Sequence, residues 1–320
     1  MRKILAPLHR HIVSRYLRVA GRVWDHLPAS LRSLSLVVPY GDHLHSLVRR
    51  HADREQSHST FFFRNRPELE LMGRLAGRKC QGSEMKLAVF GCSTGAEVYS
   101  IVWTLGTARP DLKLNVHAVD VSREILDFAS QGVYSLRNSD GLKDVDYSRL
   151  TKKERALWNT HPAQTSAPLF HRMSKDEMEA MFDFEGDAVR VKSWLKEGVR
   201  WSCGDAGDPE LASVLGTHDI VVANRFLCHM PPPAAARILL NLDTLVRPGG
   251  QLFVSGVDID VRTKVATERK WKPVPELIKE IHDGDPSLRA GWPVHYWGNE
   301  PFRPGRKDAA IRYASVFQIG

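Results

Sequence analysis

No apolar run in the sequence approaches the roughly 18 residues that cross a bilayer, which argues against an integral helical membrane protein. The first residues, MRKILAPLHRHIVSRY, are basic, as a secretion signal is, but Pro7, His9 and Arg10 break the apolar stretch. With no secretory core, the expectation is a cytoplasmic chain. Cysteine is scarce: Cys80, Cys92, Cys203 and Cys228. Their spacing fits neither a zinc site nor a disulfide framework, so reduced, mostly buried thiols and no metal are expected. There is no RNA-binding signature, no long Lys/Arg block and no internal repeat, so nucleic acid is not the leading partner.

What is present is globular. Of 320 residues, 42% are hydrophobic and 26% charged, which excludes wholesale disorder. The length suits one large domain with an accessory region, or two modest ones. Net charge is +8 with histidine neutral. That charge draws anionic partners (nucleic acid, acidic lipid, acidic substrate) or simply serves solubility.

Residues 1–57 read as a basic helical subdomain. Apolar residues in 12–27 recur at helical spacing with Arg15, Arg18 and Arg22 between them, and 43–55 reads as a second helix. Such a basic amphipathic helix packs on the main domain or makes peripheral contact with a membrane or an acidic partner. From residue 86, short apolar runs alternate with helices: KLAVFGC, NVHAVDVS, VRWSCGD, HDIVVANRF and GQLFVSGVD. This alternation predicts a doubly wound, mostly parallel α/β sheet over 58–320, and HYWGNEPF and IRYASVFQIG are the candidate final strands. A polar stretch, about 135–198, interrupts the pattern between the second and third main strands. It holds two helical patches (147–160 and 174–182) and a hairpin turning at Glu185-Gly186-Asp187.

The chemistry concentrates where strands end. Gly91-Cys92-Ser93-Thr94-Gly95-Ala96-Glu97 follows the first strand. Glycines there let backbone approach a ligand, or simply make a tight packing turn. The phosphate-loop Gly-Lys-Ser/Thr and the dinucleotide G-x-G-x-x-G are both absent. Asp120 ends the second strand, where an acid accepts ribose hydroxyls or caps the next helix. A glycine loop and an acid at this spacing, without pyrophosphate glycines, point to S-adenosylmethionine. Asp205 ends the third strand, placed for the adenine or for a turn. Asn224 ends the fourth, placed for the methionine end of the cofactor or for the acceptor. His229, beyond it, is a general base or a structural wall.

These residues resemble a family, the bacterial chemotaxis receptor methyltransferases (CheR-type), over about 58–258. Thr60-Phe61-Phe62-Phe63-Arg64 is similar to its T-x-F-F-R motif, and 92–101 to its glycine loop. Ala118-Val119-Asp120-Val121-Ser122 with Gly132-Val133-Tyr134 is similar to its D-I-D…G-x-Y block. Val221 to Met230 takes the place of its C-R-N-V-L-I-Y-F block. The resemblance implies a Rossmann-like class I methyltransferase with a seven-stranded sheet, using S-adenosyl-L-methionine and leaving S-adenosyl-L-homocysteine. It implies cofactor contacts at Thr60, Arg64, Glu97, Asp120 and Asp205, and the glycine loop, the strand ends and His58 extend the expected set to His58, Gly91, Ser93, Gly95, Val121, Ala206 and Asn224. Within that set, Glu97 takes the ammonium and Asp120 the ribose. Catalytic roles fall on Arg64, Asn224 and His229.

The chain departs from the family where the acceptor binds. The family's strand-four Arg and Tyr align with Asn224 and His229, and His58 and Asp205 stand at Asn positions. These departures lead to an expected O-methyltransferase acting on a non-receptor acceptor: a hydroxyl or carboxyl of a small molecule, glycan or lipid-linked substrate. The alternatives are a protein-glutamate O-methyltransferase in bacterial signalling and a catalytically silent cofactor-binding scaffold.

Overall fold

The computed structural model describes residues 2–32, 34, 36–55, 58–136 and 169–320. The first expected helical patch of the insertion, 147–160, lies outside the described residues.

The ten strands of the described residues are β1 (Glu84–Phe90), β2 (Lys113–Asp120), β3 (Val133–Ser135), β4 (Phe182–Glu185), β5 (Ala188–Val191), β6 (Val199–Cys203), β7 (His218–Asn224), β8 (Val246–Ser255), β9 (Lys272–Pro273) and β10 (Val316–Gln318). Seven of them form one sheet in the order β6-β2-β1-β7-β8-β10-β9. The pairs β1/β2, β1/β7, β2/β6 and β7/β8 are parallel, and β10 runs antiparallel between β8 and β9. The chain therefore winds outward from β1 to β6, crosses back, and winds the other way through β7 and β8. This is the expected doubly wound class I arrangement. Helices cover both faces, so the central strands are apolar on both sides; every residue of β7 is buried. The order reverses between β1 and β7, and the crevice beyond the carboxyl ends there is where such sheets bind ligands.

The described part of the insertion builds a second sheet, β3-β5-β4, with the hairpin turning at Gly186 in the left-handed region (φ 63°). The helix Lys175–Met181 starts with a capping box between Ser174 and Glu177. Phe170 and Phe182 from this unit pack on Phe62, at ring-centroid distances of 5.5 and 5.2 Å. The Phe62 backbone N–H donates to the Leu169 carbonyl at 3.0 Å. The insertion thus holds the Thr60–Arg64 segment in place.

The leader forms the helices Arg2–His26 and Val38–His51. Its Trp24 meets Trp292 edge to face at 5.2 Å. Asp42 pairs with Arg303, His45 contacts the Pro293 carbonyl, and Arg54 pairs with Asp258. Among the described residues no helix is long and apolar enough to cross a membrane.

Two expectations are corrected. HYWGNEPF is not a strand: its aromatic residues lie in a loop, and Tyr296 and Trp297 pack beside Val48 and Leu17 of the leader. Two of the four thiols, Cys80 and Cys203, are exposed, because one follows a surface turn and the other ends the edge strand β6.

Candidate functional site

Beyond β1 the chain turns sharply. Gly91, Ser93 and Gly95 all take positive φ (64°, 51° and 87°). A Cβ on Gly91 would lie 2.8 Å from the Phe226 ring, so only glycine lets the β7 loop close on this turn. Gly95 then starts the helix Ala96–Ala108, which carries Glu97 in its first turn.

Asp120 braces that loop. Its carboxylate accepts from the Ser93 N–H at 2.9 Å and the Ser122 N–H at 3.2 Å. The next helix is capped by Ser122, whose hydroxyl accepts from the Ile125 N–H, so Asp120 is not the cap. Each Asp120 oxygen keeps a second lone pair for a ligand. Asp205 accepts from the Gly207 N–H at 2.8 Å and so also makes a turn. The Ser93 hydroxyl donates to the His58 carbonyl at 2.6 Å, tying the loop to the segment before Thr60.

One crevice gathers most of the expected residues. His58, Gly91, Ser93, Asp120, Val121, Asp205, Ala206 and His229 line it, together with Phe226 and Met230. Thr60, Arg64, Gly95, Glu97 and Asn224 are not on that wall. Of these, Arg64, Glu97 and Asn224 belong to a second, polar cluster.

Asn224 is the centre of that cluster. Its amide nitrogen donates to Glu68 Oε1 at 2.6 Å and to Glu97 Oε1 at 2.8 Å. Its oxygen accepts from the Ser255 backbone N–H at 3.0 Å and the Ser255 hydroxyl at 2.7 Å. With both N–H bonds and both lone pairs used, the amide orients Glu97 and does not reach out to an acceptor. Arg64 is buried, donates to the Ser59 carbonyl and stacks over Phe61. Asp285 and Arg225 complete the cluster, with 3.7 Å between Asp285 Oδ2 and Arg225 Nε.

The electrostatics follow from burial and neighbours. Burial pushes the Glu68 carboxyl up to about 8, and the charge of Glu97 adds to it. Burial also raises Glu97, against the opposing bond from Asn224 and the charge of Arg64. Burial works on Asp285 in the same sense, but Arg225 and Arg64 outweigh it and hold this carboxyl low.

At the lip, His229 Nδ1 lies 2.8 Å from the Tyr296 hydroxyl, which donates to the Glu55 carbonyl at 3.3 Å. Tyr296 thereby joins the His229 ring to the Glu55 backbone of the leader. A wider groove of about 620 Å3 runs alongside, past Arg49, Arg54, Pro231 and Asp260. Four of its charges are paired with one another, Arg49 with Asp260 and Arg54 with Asp258. Among the described residues no three His, Cys, Asp or Glu side chains converge as a metal site.

Sequence reasoning missed Glu68, Arg225, Asp285 and Tyr296. Glu68 sits three residues after the N-cap Asn65 and reads as a helix-start residue. Asp285 and Tyr296 arrive from the far end of the chain. Arg225, next to Asn224, was the one visible signal.

The strand order and the glycine loop, with acids beyond β1, β2 and β6, define a class I methyltransferase architecture. Residues 58–161 match the family described as CheR methyltransferase, SAM binding domain. The chain is 25% identical over 239 residues to the probable biofilm formation methyltransferase WspC of Pseudomonas aeruginosa, covering 72% of this chain and 48% of that one. It is 26% identical over 199 residues to chemotaxis protein methyltransferase 2 of the same organism, covering 61% and 60%. The chain thus spans about half the length of the curated relatives it matches. Among solved structures it is similar to magnesium protoporphyrin IX methyltransferase from Synechocystis, at 13% identity and a TM-score of 0.32, covering 65% and 71%. Over its glycine-loop region the chain is therefore similar to the SAM-binding domain of CheR methyltransferases.

Proposed function

We propose that this protein is an S-adenosylmethionine-dependent O-methyltransferase whose acceptor is a carboxylate on a signalling protein. The observation that carries the cofactor half is the placement of Asp120 and Glu97 on either side of one glycine turn, each held by hydrogen bonds. The acceptor half rests on the relatives, one named for chemotaxis and one for biofilm formation.

In this reading Asp120 takes the ribose hydroxyls, and Asp205 with Ala206 borders the adenine. Glu97, oriented by Asn224, takes the ammonium. Gly91, Ser93 and Gly95 give close backbone approach, while His58, Thr60 and Val121 flank it. When bound, the cofactor supplies a methyl group on a sulfonium leaving group. A carboxylate acceptor is already nucleophilic, so the chain's task is alignment and exclusion of water, with Arg64 as its cationic guide. The division into a leader, 1–57, and a methyltransferase domain, 58–320, belongs to the same proposal.

A hydroxyl acceptor is the second reading, favoured by the place of His229 on the crevice wall with Nδ1 held by the Tyr296 hydroxyl. Labelled methyl transfer separates the two. A carboxyl ester loses its label in mild base, and a methyl ether keeps it. His229→Ala should slow hydroxyl methylation at least about tenfold and leave carboxyl methylation within a few-fold. S-adenosylhomocysteine binding without any methyl acceptor in a whole lysate would favour the silent scaffold.

A further inference from the structure

We infer that Glu68 is a second carboxylate of the ammonium site, paired with Glu97 across Asn224, and that it releases its proton when the cofactor's amino-acid end arrives. The inference rests on the cofactor reading above and deepens it.

The geometry comes from Asn224. The Ser255 backbone N–H can only donate, so the Asn224 oxygen must face it and the amide nitrogen must face the glutamates. That nitrogen then serves Glu68 and Glu97 together, which sets the two carboxyls side by side. Glu68 comes from the helix Arg66–Ala76 and Glu97 from the helix Ala96–Ala108, so the pair is made by two separate elements. The second Glu68 oxygen is buried with no partner, although the residue is only 2% exposed. Among the described residues Glu68 has no ion pair.

The charges facing Glu68 are Glu97 and Asp285 on the acidic side, and Arg64 on the basic side. Arg225 is turned to Asp285. Three carboxyls therefore share two guanidiniums. Two adjacent carboxylates in a dry pocket cannot both stay ionised, so the less compensated one, Glu68, holds a proton in the free protein. A primary ammonium reverses this balance. It brings one positive charge and three N–H donors, enough for Glu97, for Glu68 and for one further acceptor.

The test is calorimetric titration with S-adenosylhomocysteine at pH 7, in phosphate and in Tris, whose ionisation enthalpies differ. 5′-Methylthioadenosine, which lacks the amino-acid end, is the control ligand. The expected result for the native protein is release of most of one proton per S-adenosylhomocysteine, on the order of 0.9 for a group titrating near 8, and none with methylthioadenosine. Glu68→Gln should abolish the release and weaken S-adenosylhomocysteine roughly tenfold. It should leave methylthioadenosine within about twofold. A merely structural role would weaken both ligands together. Native protein that binds S-adenosylhomocysteine with no proton release overturns the inference and leaves the cofactor reading standing, and this arm needs no variant. Native protein that binds neither ligand overturns the cofactor reading itself, and this inference with it.

Discussion

Asp120 answers to two demands at once. It fixes the glycine loop through the Ser93 N–H and presents its remaining lone pairs to the crevice. Replacing it with alanine removes both, so Asp120→Ala should weaken S-adenosylhomocysteine by more than about tenfold, or about 1.4 kcal/mol. Asp120→Asn, which keeps one acceptor, should fall between; unchanged affinity in titration calorimetry would remove Asp120 from the ribose. Asp120 was legible because an acid at a strand end, 25 or so residues past a glycine turn, has few other uses. Glu68 was not, because its position after Asn65 is that of an ordinary first-turn acid. Its meaning depends on Asn224, 156 residues further on. Asn224 itself was placed correctly at the strand end, but the sequence gives no sign that its amide faces inward to Ser255 rather than outward.

Elements were legible where burial is two-sided. The parallel strands β1, β2 and β7 read as apolar runs because helices cover both faces. The same signal failed at HYWGNEPF, where aromatic residues serve helix packing instead of a sheet. The two-residue β9 is too short to carry any pattern. The leader's docking depends on one close approach: a Cβ on Gly41 would lie 2.4 Å from the Trp292 ring and 2.9 Å from Trp24. Gly41→Ala must push the buried Trp24 and the half-buried Trp292 indoles apart, at a cost of about 1–3 kcal/mol. Thermal unfolding should show the loss, while S-adenosylhomocysteine affinity stays unchanged, since no leader residue lines the crevice. A variant as stable as the native protein would mean that the Trp24–Trp292 contact is looser than the structure has it.

At the scale of the whole molecule, the leader and the C-terminal loop are held together partly by a histidine. His45 is 4% exposed, and its Nδ1 lies 3.1 Å from the Pro293 carbonyl. Burial lowers it to about 4 and Arg49 adds to that, against the opposing bond to the Pro293 carbonyl and the charges of Glu300 and Asp260. His218, beside His117 at the far end of the sheet, is lowered to about 4 by burial as well. Both are neutral in the fold and titrate near 6.5 once unfolded. The unfolded chain therefore binds more protons in this window. Stability present above about pH 6.5 is lost as pH falls towards 4. The loss is not uniform, because His218 sits in the central sheet while His45 sits where the leader docks. Hydrogen exchange of the Val38–His51 helix, corrected for intrinsic rates, should accelerate between pH 7 and pH 5 before that of β7. His45→Gln, which does not titrate, should remove that excess. Equal acceleration of helix and strand would mean that acid opens the molecule as one unit, with the leader no weaker than the core it covers.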